Sequence, residues 1–88
     1  MSGLAIVQLL SDKKTDPMNR TNVDSSNLSS IGYEASTGTL EIEFHSGGIY
    51  QYFNVPGSVY SGLMNADSHG TYFDRTIKKA GYRFKQIR

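Results

Sequence analysis

The most constraining stretch of this 88-residue chain is Leu40 to Phe44, Leu-Glu-Ile-Glu-Phe, in which apolar and acidic residues strictly alternate. Successive side chains of a strand leave opposite faces, so the pattern predicts Leu40, Ile42 and Phe44 on a covered face and Glu41 and Glu43 on a solvated one. Turn-forming segments bracket it, Ala35 to Gly38 before and His45 to Gly48 after. Ser29 to Glu34 and Ile49 to Val55 then read as neighbouring strands. Three strands with short loops make an antiparallel meander.

Loop length decides which residues stand opposite one another, and opposite residues share a face. A first loop of Ala35 to Gly38 pairs Tyr33 with Leu40 and Ile31 with Ile42. A second turn centred on Ser46 and Gly47 pairs Phe44 with Ile49 and Leu40 with Phe53, and sets Gln51 against Ile42. The far face then collects Gly32, Glu34, Glu41, Glu43, Tyr50 and Tyr52, with each tyrosine across from a glutamate.

Pro56 ends the third strand and suits the start of a helix. Val59, Leu63 and Ala66 recur at helical spacing, so a helix is predicted from about Pro56 to Ala66. Asp67 to Gly70 breaks the pattern and supplies cap residues. A second helix follows to about Lys79, with Phe73 and Ile77 inward and Gly81 as its stop. Tyr82 to Ile87 alternates again as a short C-terminal fourth strand, with Tyr82 and Phe84 inward and Arg83 and Lys85 outward. The expected fold is α+β: a three-strand antiparallel meander, two helices packed on one face, and the fourth strand, favoured beside the first strand rather than the third.

Residues 11 to 27 hold two apolar side chains, Met18 and Val23, in seventeen positions, too few to offset the entropy of ordering them. Residues 1 to 21 are therefore expected to be a disordered or weakly helical N-terminal tail, and 22 to 88 the domain. The apolar run Leu4 to Leu10 is far short of the roughly 20 residues of a membrane span, and no basic residue precedes it as a secretory signal would require. With no cysteine, the chain has neither disulfide nor thiolate chemistry. A cytoplasmic location is expected.

Net charge is +1, yet it is unevenly spread. Arg75, Lys78, Lys79, Arg83, Lys85 and Arg88 follow the last acid, Asp74, so the C-terminal end carries +6; residues 1 to 74, with three cations against eight carboxylates, carry −5. Such asymmetry points to an anionic partner at the C-terminal end, the plain alternative being a solvated helix face and tail.

Val23 to Ser26, Ile31 to Tyr33, Tyr50 to Tyr52, Val55 with Pro56, Val59 with Tyr60, Ala66 to Phe73 (Ala-Asp-Ser-His-Gly-Thr-Tyr-Phe) and Ile77 together resemble the KTSC domain. That family is named for its occurrence at the C-terminus of some lysyl-tRNA synthetases and also occurs as stand-alone bacterial proteins. The resemblance spans about residues 22 to 88. It implies no established activity, and a proposed role in binding RNA.

No nucleophile-elbow, phosphate-loop or zinc-protease pattern occurs, and Asp67 with His69 is the nearest approach to a metal pair. No enzyme activity, metal or cofactor is expected. Ser68, His69, Gly70 and Thr71 at a helix start are a candidate anion site, set against a simple helix cap. Tyr50 and Tyr52 on a sheet face are candidates for base stacking, with Arg75, Lys78, Lys79, Arg83 and Lys85 as phosphate contacts. Weak RNA binding is thus expected of a monomeric, non-catalytic module. A protein-interaction module using the tyrosine-bearing face is the alternative.

Overall fold

The computed structural model describes residues 19–88, so most of the predicted N-terminal tail, including Leu4 to Leu10, lies outside the described residues. The fold is α+β. Five antiparallel strands, β1 (Thr21–Asn22), β2 (Leu28–Glu34), β3 (Thr39–Phe44), β4 (Ile49–Tyr52) and β5 (Phe84–Gln86), lie in the order β1-β2-β3-β4-β5. Two helices, α1 (Gly57–Asn65) and α2 (His69–Thr76), and a 3₁₀ turn (Lys78–Ala80) connect β4 to β5.

The first hairpin has the predicted register, with Ile31 opposite Ile42 and Tyr33 opposite Leu40. The second does not. Its loop is His45, Ser46 and Gly47: the Phe44 carbonyl accepts from Gly47 N, and Phe44 N donates to the Gly48 carbonyl. Gly47 sits at φ +104°, the left-handed residue that closes a three-residue hairpin loop. The register thus moves by one residue, and one residue exchanges the two faces of a strand. Glu43 stands opposite Ile49, Ile42 opposite Tyr50, Glu41 opposite Gln51, and Leu40 opposite Tyr52. Tyr50 and Tyr52 accordingly lie on the face with Leu40 and Ile42, not with the glutamates. Gln51 joins Glu41 on the other side.

Two further differences change the sheet. β1 adds an edge strand beside β2, pairing Thr21 with Ile31 and Asn22 with Ser30; its sequence has no apolar alternation to announce it. The C-terminal strand lies beside β4, with Tyr52 opposite Phe84 and Tyr50 opposite Gln86, rather than beside the first hairpin strand. β4 also ends earlier than predicted, because Asn54 adopts φ +60° and turns the chain so that Val55 N reaches the Gly38 carbonyl.

The core lies between one sheet face and the helices. Leu28, Ile31, Leu40, Ile42 and Tyr52 from the sheet cluster with Val55, with Leu63 of α1, and with Phe73 and Ile77 at α2. Tyr33 stacks on Tyr60 of α1 at 4.7 Å between ring centroids and donates its hydroxyl to the Val55 carbonyl at 2.6 Å. These two contacts fasten the first helix to the first hairpin. α1 begins after Pro56, and α2 ends before the turn closed by Gly81 at φ +86°. A left-handed residue here is what stops a helical run at low cost.

The face turned away from the helices is not simply solvated. Glu41 is 1% exposed. Arg20 Nη1 donates to one of its carboxylate oxygens and Gln51 Nε2 donates to the other at 2.9 Å. Arg20 Nε also donates to Ser30 Oγ, which in turn donates to Glu43, each at 2.8 Å. At the far end Arg88 reaches Glu43 at 3.1 Å. The glutamates expected to face water are instead held in a network of cations and amides.

Candidate functional site

Leu63 of α1 and Phe73 of α2 cluster with buried side chains of β2, β3 and β4, and no residue of β5 belongs to that cluster. Phe84 points to the helix side of the sheet, as Tyr52 opposite it does, yet it is 61% exposed. A row of rings leads inward from it. Phe84 lies 6.0 Å from Tyr50 and 5.6 Å from Tyr52. Tyr50 meets Phe44 edge to face at 5.6 Å, and Phe44 meets Phe73 of α2 at 5.5 Å. Such tilted and edge-to-face contacts lie in the favoured range for aromatic pairs.

The row is graded in exposure. Tyr52 is buried, Tyr50 and Phe44 are half-buried, and Phe84 is open. Burial, together with the neighbouring Tyr50 hydroxyl, pushes the Tyr52 phenol up to about 12, so this tyrosine is a wall of the core rather than a platform. Phe84 is the open ring, and Tyr50 and Phe44 stand half-buried behind it.

The predicted cations are not brought together on one surface. Lys85 lies opposite Gln51 on the outer face, and Arg88 is engaged with Glu43 there. With its Ser30 hydrogen bond as the main cause and Arg20 and Arg88 adding to it, the Glu43 carboxyl is held below the ordinary carboxylate range despite the opposing effect of burial. Arg83 immediately precedes β5 and lends its carbonyl to Phe53 N. Arg75 and Lys79 are exposed at and just beyond the end of α2, where Lys79 pairs with Asp74 at 3.5 Å. Lys78 borders a cleft of about 380 Å³ that also has Phe44 and Phe73 among its walls.

The segment from Ser68 to Thr71 forms a cap. Ser68 Oγ accepts from Thr71 N at 3.2 Å and lies 2.9 Å from the Thr71 hydroxyl. The His69 ring contacts the Leu63 carbonyl through Nδ1 at 2.8 Å. A carbonyl only accepts, so Nδ1 carries the proton. This side chain ties the start of α2 to the end of α1. Gly70 packs against the β1–β2 loop, where an added Cβ would lie 3.4 Å from Asn27 Nδ2. Among the described residues, no three His, Asp or Glu side chains converge as a metal site would require.

Phe84, Phe44 and Phe73 were not among the predicted site residues. The available signal was Phe84 standing between Arg83 and Lys85, an aromatic flanked by cations in the most basic part of the chain.

Comparison with known proteins places these features in a group. The KTSC domain model matches residues 24–82. An uncharacterized protein of Stutzerimonas stutzeri is 41% identical over 70 residues, covering 80% of this chain and 99% of that protein. The lysine–tRNA ligase of Nostoc punctiforme is 45% identical over 60 residues, 68% of this chain and 10% of the ligase, so the chain matches only a small part of that enzyme. Among solved structures, a KTSC domain protein from Yersinia pestis superposes with a TM-score of 0.76 at 39% identity, covering 82% of this chain and all of that one.

Proposed function

This chain belongs to the KTSC domain family, and from that premise we propose that it is a non-catalytic, monomeric module that binds single-stranded RNA weakly. The observation that carries the reading is Phe84: a large aromatic 61% exposed, backed by Tyr50, on an edge strand in the most basic part of the chain, with its neighbour Lys85 on the other face of that strand. Unpaired bases stack on such rings while nearby cations meet the phosphates. The match to part of a lysine–tRNA ligase, an enzyme whose name includes an RNA, supports the same reading. Glu41 and Glu43, which would repel phosphate beside the tyrosines, face the other side of the sheet and are neutralised by Arg20 and Arg88.

A second reading has its own support. Phe84 and Ile87 are both exposed near the open edge strand β5, and an open edge invites strand addition by another protein. Salt separates the two. Titrating labelled single-stranded RNA by fluorescence anisotropy from about 50 to 200 mM salt should show affinity falling steeply, as counterion release demands. No binding at the lowest salt would overturn the RNA reading and leave the protein-interaction one.

A further inference from the structure

We propose that the cleft between the β1–β2 loop, the β3–β4 turn and α2 is a subsite for one unstacked nucleobase, and that it prefers bases with an exocyclic amino group. The inference rests on the RNA-binding reading and gives it a place where sequence is read. The cleft holds about 380 Å³ and is lined by Phe44, Phe73, Asn27, Ser46, Asp74 and Lys78 among others, a size within the usual range for small-ligand pockets.

Its chemistry is divided as a nucleotide is divided. The half-buried Phe44 supplies apolar ring surface for a base, backed by Phe73 of the core. Asn27 and Ser46 are exposed and line the cleft, so their side-chain polar groups are open to a ligand. An amide there offers a donor and an acceptor to a base edge. Asp74, whose Oδ2 faces Lys79 at 3.5 Å across an exposed pair, keeps its other oxygen as an acceptor, so an amino-bearing edge suits it and an anion does not. The phosphate belongs outside, at Lys78, an exposed cation on the rim.

The cleft is also continuous with the aromatic row. Phe44 contacts Phe73 on one side and Tyr50 on the other, and Tyr50 contacts Phe84. One base in the cleft and a neighbour on Tyr50 and Phe84 therefore follow a single path across the surface. Recognition of splayed bases by stacking and by hydrogen bonds to their edges is the usual way single strands are read.

The test is an amide-resolved NMR titration of the full chain with the four ribonucleoside 5′-monophosphates and with inorganic phosphate. GMP, AMP and CMP should shift the amides of Asn27, Ser46, Gly70 and Lys78, with UMP binding at least about fivefold more weakly, the worth of one hydrogen bond. Asn27→Ala should weaken the three amino-bearing nucleotides about fivefold and narrow their advantage over UMP; its own spectrum reports that it folds. Equal shifts from inorganic phosphate alone, no shifts at these amides, or shifts confined to Tyr50 and Phe84 would each overturn the proposal. RNA binding that persists with the cleft amides unmoved removes this subsite and keeps the RNA reading. Nucleotide binding in the cleft without RNA binding does the reverse.

Discussion

The Arg20 guanidinium closes over the Glu41 carboxylate on the sheet face turned away from the helices, joining the residue just before β1 to the centre of β3. Glu41 is 1% exposed and has Gln51 as its second partner. A carboxylate taken this far from water is tolerated because its charge is matched and its oxygens are satisfied. Arg20→Ala leaves that charge buried and unmatched, and should cost about 3 to 5 kcal/mol in urea unfolding. Replacing both together, Arg20→Met with Glu41→Leu, should recover most of the loss. A cost below about 1 kcal/mol for Arg20→Ala, typical of an exposed pair, would mean that the clasp is not formed.

The face assignment of β4 can be read from alkaline unfolding. Tyr52 titrates near 12 in the folded chain and near 10 when unfolded. Its protonated form is therefore favoured by folding, and the contribution is fully present below pH 10. Stability should fall as pH rises from about 10 towards 12. Tyr52→Phe should reduce that fall. An unchanged alkaline profile in Tyr52→Phe would place the ring in solvent, on the face first expected from the sequence.

At the acid end the sign is opposite. The Glu43 carboxyl is lowered by its Ser30 hydrogen bond and by Arg20 and Arg88, so its stabilising contribution is present above the unfolded value, about 4.3. It is lost as pH falls through the lower folded value. Glu43→Gln should be less stable than the parent at pH 7, and the difference should shrink towards pH 3. A difference independent of pH would assign the effect to packing.

Gly62 on α1 faces the Tyr72 ring of α2 so closely that an added Cβ would lie 2.0 Å from the hydroxyl oxygen and 2.6 Å from Cζ. Gly62→Ala should therefore destabilise by roughly 1 to 3 kcal/mol through overpacking, although alanine is the better helix former by about 1 kcal/mol. In a Tyr72→Ala background the same change should become stabilising. If Gly62→Ala stabilises the parent chain, the two helices are not in contact at this point.

What the sequence shows and what it hides divide along one loop. The alternation of Leu40 to Phe44 and the loop from Ala35 to Gly38 determine the first hairpin, and the observed register agrees. In the second hairpin, Gly47 and Gly48 are both permissive residues, and either a two- or a three-residue loop satisfies local turn chemistry. The structure takes the longer, and that single residue carries Tyr50 and Tyr52 to the opposite face. β1 is hidden for another reason. Thr21 and Asn22 have no apolar signature, because what recommends this edge is Arg20 meeting Glu41, a contact 21 residues apart in sequence. The bounds of α1 and the Gly81 stop are legible, being local; the end of α2 is not, since the helix predicted to about Lys79 stops at Thr76 and gives way to a 3₁₀ turn over Lys78–Ala80. Nor is the aromatic row legible, since its order depends on β5 lying beside β4.

Ile42 provides a plain check on the covered face. It is fully buried, so Ile42→Ala should cost about 2 to 5 kcal/mol. A loss under 1 kcal/mol would show that the helices do not pack over β3.

The most direct measurement is the affinity of labelled single-stranded RNA for the parent chain and for Phe84→Ala, by anisotropy at about 50 mM salt. Phe84 is 61% exposed, so its removal should leave the fold intact. Stacking contributes roughly 1 to 3 kcal/mol per base, and the variant should bind about 5- to 150-fold more weakly than a parent of micromolar affinity. Equal binding by the two proteins, or none by the parent, would contradict a role for this ring in RNA recognition.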